Sequence, residues 1–144
     1  MRITYKGDYA LKTILKLSIN YGKVLSIHKL AKDLDIPVKF LEQILLELKR
    51  VGFVKSRRGK VGGYFLARHP SKIMLGEIIR FVDGPIEPIA CINDNYRGCN
   101  DMYRCIFRDL WKKITEQTSK IVDNISFEDL RRRFTDKKFL AYTI

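Results

Sequence analysis

Residues 26–67 read SIHKLAKDLDIPVKFLEQILLELKRVGFVKSRRGKVGGYFLA, and this stretch decides the fold. Ser26 suits the N-cap of a helix running through Lys29, Leu30 and Ala31 to Leu34, because its hydroxyl can accept from a free first-turn amide. Asp35-Ile36-Pro37 forces a turn. Pro37 suits the first turn of a second helix, whose apolar stripe is Phe40, Leu41, Ile44, Leu45 and Leu48, and Gly52 stops it. Two short helices joined by a tight turn, the second with Lys39, Glu42, Gln43 and Lys49 off its stripe, have the layout of a helix-turn-helix. Two β-prone runs follow, residues 53–56 and 64–67, around the basic glycine-rich loop of residues 57–63. That pattern is a hairpin, and its glycines let the main chain approach a groove closely. A nucleotide-phosphate loop would need Gly-Lys-Ser/Thr opening a helix, which is absent.

Working outward, apolar residues from Tyr9 to Tyr21 recur mostly at helical spacing, and Gly22 ends that first helix. Past the hairpin, His69-Pro70 breaks the chain, and Ser71 to Val82 is expected as a helix burying Ile73, Met74, Ile78, Ile79 and Phe81. Residues 84–104 have no clean periodicity, and a loop of that length usually has a function or a bound species ordering it. The longest helical pattern runs from Cys105 to Ile125, with Phe107, Leu110, Trp111, Ile114, Ile121, Val122 and Ile125 as its stripe. Phe127 to Phe134 reads as a short final helix capped by Ser126. The expected fold is mainly α: a winged helix-turn-helix with a small β-hairpin wing, plus a long C-terminal dimerisation helix. Three segments are expected: a DNA-binding unit over 1–83, a cysteine-containing sensor loop over 84–104, and dimerisation and terminal helices over 105–144.

The 144 residues fit one domain or a small domain with an appendage, and 46% hydrophobic content is ample for a core. The net charge of +12 is uneven: residues 1–80 hold 17 Lys+Arg against 6 Asp+Glu, the remainder 11 against 10. A basic field confined to the helix-turn-helix end favours a polyanionic partner over a merely solubilising surface. No run of about eighteen apolar residues and no cleavable leader mark the chain for a membrane or for secretion, so a cytoplasmic setting is expected. All three cysteines, Cys91, Cys99 and Cys105, fall in one window with the spacing C-x7-C-x5-C. In a reducing compartment such a cluster points to a metal or redox site, and it lacks the two-residue gaps of a structural zinc finger.

The chain resembles the winged-helix bacterial regulators typified by IscR and NsrR, the Rrf-type regulators, several of which carry an iron-sulfur cluster. The likeness lies in Met1-Arg2-Ile3-Thr4 with Gly7 and Tyr9-Ala10, in residues 36–44 (IPVKFLEQI), and most strongly in residues 58–67 (RGKVGGYFLA). It extends through the cysteines and the long helix. The resemblance implies a homodimer on a palindromic double-stranded DNA operator, with the long helix forming the dimer and cluster state changing operator affinity. It implies an iron-sulfur cluster, 2Fe-2S or 4Fe-4S, on Cys91, Cys99 and Cys105. Where IscR-like members place a histidine three residues after the last cysteine, this chain has Arg108. NsrR-like members use an acidic residue from the partner's first helix, and the matching residue is Asp8; the alternative for Asp8 is a favourable place near the helix dipole.

Three thiolates match the soft irons of a cluster and leave a coordination position open. Zinc is the alternative, with a fourth donor from Asp94, Asp101, Asp8 or His28. A metal-free disulfide switch is a further alternative. A thiol oxidoreductase is disfavoured, since no Cys-x-x-Cys pair and no nearby histidine are present, so no enzyme is expected. For DNA, Lys39, Phe40, Glu42 and Gln43 on the recognition helix are candidate contacts, the polar ones to base edges. Arg2, Ser26, Arg57, Arg58, Lys60, Gly62, Gly63 and Tyr64 are the candidates for phosphate or minor-groove contact.

Overall fold

Helix α1 (Tyr5–Ile19) is the element on which the others assemble; α2, α3, α4, α6 and the second strand all pack against it. A computed structural model describes the backbone of residues 1–143 and the side chains of residues 1–138. Thr4 caps α1 by accepting from the Gly7 amide, so the helix begins four residues earlier than the apolar periodicity alone predicts. Ala10, Ile14 and Leu17 form its buried face. Thr13 and Ser18 are equally buried, and each returns its hydroxyl proton to a carbonyl one turn back, at 2.7 Å, so no polar group is stranded.

Helix α2 (Ile27–Leu34) is capped by Ser26, which accepts from the Lys29 amide, and it ends at Asp35 in the left-handed region, φ 53°. Pro37 then leads α3 (Val38–Arg50), whose buried stripe is Leu41, Ile44, Leu45 and Leu48. Phe40, expected on that stripe, is 61% exposed. The reason is helical phase: one residue before Leu41 lies about 100° around the axis from the buried line. Strands β1 (Val54–Arg57) and β2 (Gly63–Leu66) pair antiparallel, with Val54 opposite Leu66 and Arg57 opposite Gly63.

A 3-10 turn at Pro70–Lys72 precedes α4 (Leu75–Asp83), so the helix expected from Ser71 is divided in two. The Met74 amide donates to the Glu77 carboxylate at 2.8 Å, which sets the later start. Met74 and Phe81, expected inside, are half-buried, while Ile73, Ile78 and Ile79 are buried as expected. The loop after α4 holds another 3-10 turn, Ala90–Ile92, and is anchored by buried Ile86, Ile92 and Met102.

Helix α5 (Ile106–Asp123) packs on α4, and Arg80 grips both carboxylate oxygens of Asp123. The chain then returns to the first core. The Leu75 amide donates to the Ile125 carbonyl at 2.8 Å and the Phe127 amide to the Ile73 carbonyl at 2.9 Å, so Phe127 sits fully buried in the core where α6 meets α1 and the Pro70–Lys72 turn. Helix α6 (Phe127–Thr143) is capped by Ser126, whose hydroxyl accepts from the Asp129 amide, and it continues nine residues past the expected end at Phe134. Ile144, the last residue of the expected C-terminal segment, lies outside the described residues.

Truncating Phe127 removes the side chain that joins α6 to the core. Phe127→Ala is expected to lower unfolding free energy by about 3–5 kcal/mol, measured by urea denaturation. The hydrogen bonds from Arg80 lower the pKa of Asp123 below the ordinary carboxylate value. The pair therefore stabilises the fold above the unfolded value of about 3.9, and that contribution disappears as pH falls through the lower folded value. Asp123→Asn is expected to reduce thermal stability at neutral pH and to flatten its decline between neutrality and that acid range.

Candidate functional site

The outward face of α3 carries Lys39, Glu42, Gln43, Leu46, Glu47 and Arg50 around a shallow depression of about 440 Å³. Residues three, four and seven apart share one helix face, so Lys39, Glu42 or Gln43, Leu46 and Arg50 form one stripe opposite the buried one. Leu46 and Arg50 were not among the sequence candidates, although that spacing from Lys39 points to them. Two polar contacts fix this helix relative to its surroundings: Lys6 of α1 pairs with Glu47 at 2.7 Å, and Lys49 donates to Ser56 of β1 at 2.7 Å.

The wing is welded to the start of α2. Tyr64 and Leu25 exchange both backbone hydrogen bonds, at 2.8 and 3.0 Å. Gly63 makes this approach possible, because a Cβ there would stand on the Leu25 carbonyl and crowd the Ser26 nitrogen. The weld sets Ser26, which has an O–H proton still to donate beyond its capping role, beside the wing. At the tip, Arg58 and Lys60 are exposed, whereas the Arg57 guanidinium donates back to the Val61 carbonyl at 3.3 Å. Arg57 therefore braces the turn. Gly62 completes it, its amide donating to the Gly59 carbonyl at 3.0 Å.

Arg2 lies in a strap that is tied at both ends. The terminal ammonium of Met1 donates to the Glu87 carbonyl at 3.2 Å, and Thr4 donates through its amide and hydroxyl to Asp83. Gly7 leaves the room that the Asp83 carboxylate occupies. Residues Arg2 to Tyr5 and Asp8 line a groove of about 540 Å³, and Asp8 itself pairs with Lys12 at 2.6 Å.

Cys91, Cys99 and Cys105 are brought to one hollow of about 410 Å³, which is also lined by Ile89, Tyr96, Phe107 and Trp111. All three are free thiols; Cys99 is exposed and the other two half-buried. Arg108 does not occupy a ligand position: its Nε donates to the Cys91 carbonyl and its Nη2 to Asp94, each at 2.8 Å. Those hydrogen bonds, Arg108 first and Lys112 second, hold Asp94 below the usual carboxylate pKa. Among the described residues, no three His, Cys, Asp or Glu side chains converge closely enough within one chain to hold a metal ion. Of the four further donors considered, Asp94 is engaged by its cations, Asp8 by Lys12, and neither they nor Asp101 or His28 line the cysteine hollow.

The model of the Rrf2 family, described as an iron-dependent transcriptional regulator, matches residues 3–133. The chain belongs to the Rrf2 family. The transcriptional regulator CymR of Bacillus subtilis is 33% identical over 143 residues, covering 99% of this chain and 97% of that one. The regulator IscR of Klebsiella pneumoniae is 32% identical over 132 residues, covering 90% of this chain and 79% of its own. The solved structure of the B. subtilis protein, there described as the global cysteine regulator, superposes with a TM-score of 0.78 at 30% identity, covering 92% of this chain and 98% of that one. The chain is thus a transcriptional regulator of the Rrf2 family with a winged-helix architecture. No helix among the described residues is long and apolar enough to cross a membrane.

Within this Rrf2 chain, α5 does not complete the monomer's core. Val122 is its one residue classed as buried, while Ile106 and Phe107 are 85% and 63% exposed and Leu110, Ile114 and Ile121 also face outward. An apolar helix face of that length, broken by Gln117 and Thr118, is far from the scattered exposure ordinary on a monomer surface.

The weld between wing and α2 yields a test. Gly63→Ala is expected to displace the wing and weaken DNA binding about tenfold or more in fluorescence anisotropy, with helix content by circular dichroism unchanged.

Proposed function

We propose that this protein is a homodimeric regulator that reads a palindromic double-stranded DNA operator with α3 and steadies itself on the backbone with the wing. The observation that carries this reading is the weld at Leu25–Tyr64, which sets the start of α2 beside the basic wing, while the Lys49–Ser56 bond ties α3 to the same wing. Lys39, Glu42 and Gln43 are the proposed base readers and Phe40 an apolar contact of the thymine-methyl kind. Arg2, Ser26, Arg58, Lys60 and the main chain around Gly62, Gly63 and Tyr64 are the proposed backbone contacts, with Arg57 shaping the tip. The exposed face of α5 pairs with its copy about a two-fold axis, which sets two recognition helices at the spacing a palindrome requires.

We further propose that Cys91, Cys99 and Cys105 hold an iron-sulfur cluster. Support comes from the donor chemistry, three soft thiols sharing one hollow with apolar walls, and from the iron dependence in the family's description. When bound, such a cluster supplies a labile, redox-responsive centre. The chain's own part is to present three thiolates, to give the hollow apolar walls with Ile89, Phe107 and Trp111, and to leave one position for a donor from outside the loop. Asp8 of the second protomer is the proposed donor. Cluster state then acts through differential affinity for DNA-competent and incompetent arrangements of the dimer.

A second reading is favoured by the likeness to a regulator described as governing cysteine, together with the lack, among the described residues, of a converged ligand set within one chain. In it, two of the thiols respond directly, without metal, forming a disulfide as a peroxide-class oxidant takes up their two electrons and two protons to give water. Anaerobic purification with iron, sulfide and zinc analysis separates these readings: iron with sulfide supports the cluster, stoichiometric zinc without iron refutes it, and metal-free protein that shows a reductant-reversible mass loss after peroxide is added supports the thiol switch.

Selection from a random DNA pool is expected to return a palindrome. Gln43→Ala should then relax selectivity at one position per half-site, by about 1–3 kcal/mol. Arg58→Ala should weaken all DNA alike and reduce the salt slope by about one. A double change, Ile114→Glu with Ile121→Glu, is expected to yield monomers by light scattering and to abolish operator binding at concentrations that saturate the parent protein.

A further inference from the structure

We infer that Arg108 is a positioning residue of the cysteine site: with Asp94 it forms a clasp that holds Cys91 and Cys105 in fixed relation and leaves Cys99 as the outlying thiol. Arg108 is the residue that touches two of the three cysteine positions through their backbone. Its amide donates to the Cys105 carbonyl at 3.2 Å, while its Nε donates to the Cys91 carbonyl at 2.8 Å. The remaining arm of the fork reaches Asp94, and the side chain is only 12% exposed. One turn along α5, Lys112 approaches the same Asp94 oxygen at 3.3 Å. The loop from Cys91 to Asp94 is therefore tied to the first two turns of α5 by a planar, forked cation.

Cys99 lies outside these contacts. It is exposed, while Cys91 follows Ala90 within a 3-10 turn pinned by buried Ile92. A thiol's reaction with an external electrophile follows its access as well as its thiolate character. The clasp thus sets an order, Cys99 before Cys91, and it joins the cysteine loop to the helix whose apolar face begins at Ile106 and Phe107. Lysine in place of Arg108 keeps the charge but cannot serve the Cys91 carbonyl and Asp94 with one rigid fork.

The inference concerns the thiol loop of the proposed function but does not need its cluster, so the two fail separately. The test is timed alkylation of the full-length, chelator-treated, reduced protein with iodoacetamide under anaerobic conditions, read at each cysteine by peptide mass spectrometry. Cys99 is expected to react about tenfold faster than Cys91 in the parent protein. Arg108→Lys and, independently, Asp94→Asn are expected to raise the Cys91 rate several-fold while leaving Cys99 within about twofold, and the double variant should add little beyond Arg108→Lys. The inference is overturned by a parent protein in which Cys91 and Cys99 react alike, by an unchanged Cys91 rate in both variants, or by all three thiols accelerating together, which would mean general loosening of the loop.

Discussion

The burial of one face of α1 is the constraint on which the rest of the structure depends. Ala10, Ile14 and Leu17 are almost wholly removed from water, and the helices that cover them come from both ends of the chain. A small residue at Ala10 permits close approach, and the larger Ile14 and Leu17 belong to the same buried cluster as the α3 stripe and Phe127. Because one helix is shared in this way, the helix-turn-helix, α4 and the start of α6 cannot shift independently. Close packing transmits displacement rather than absorbing it.

Two backbone joints complete this frame. The Leu25–Tyr64 pair ties the wing to α2, and the Met74–Ser126 bridge ties the end of α5 back to the start of α4. Each joint is short, and each couples segments far apart in the chain. The second also accounts for the position of Phe127, which enters the core formed mainly by residues 10–78 even though it follows the long helix. The cysteine loop lies outside that core, anchored by Ile86, Ile92 and Met102 and clasped by Arg108.

Most of the helix-turn-helix was legible from residue pattern. Ser26, Asp35-Ile36-Pro37, Gly52 and the basic glycine-rich loop are local signals, since capping, turn formation and φ restriction act within a few residues. The shortfalls have equally local causes. Thr4 is a cap that apolar periodicity does not register, so α1 starts early; Phe40 falls just off the buried line; and the bond from Met74 to Glu77 delays α4. For the site, the cysteines announced themselves by clustering, and Arg108 was visible as a departure from a histidine pattern. Its role was not visible, because a guanidinium seventeen residues from Cys91 meets that carbonyl only after the loop has folded back on α5.

By itself, then, the sequence determined the element types, a polar outward face on α3, the basic wing and the presence of a thiol cluster. These follow from periodicity, caps and charge, which are properties of neighbouring residues. Tertiary structure alone decided that Gly63 serves the weld to Leu25 and that Asp94 is held by Arg108 and Lys112. It also decided that the apolar side of α5 is left open to solvent. Each of these depends on which distant atoms meet, and a linear pattern carries no information on that until the chain has closed upon itself.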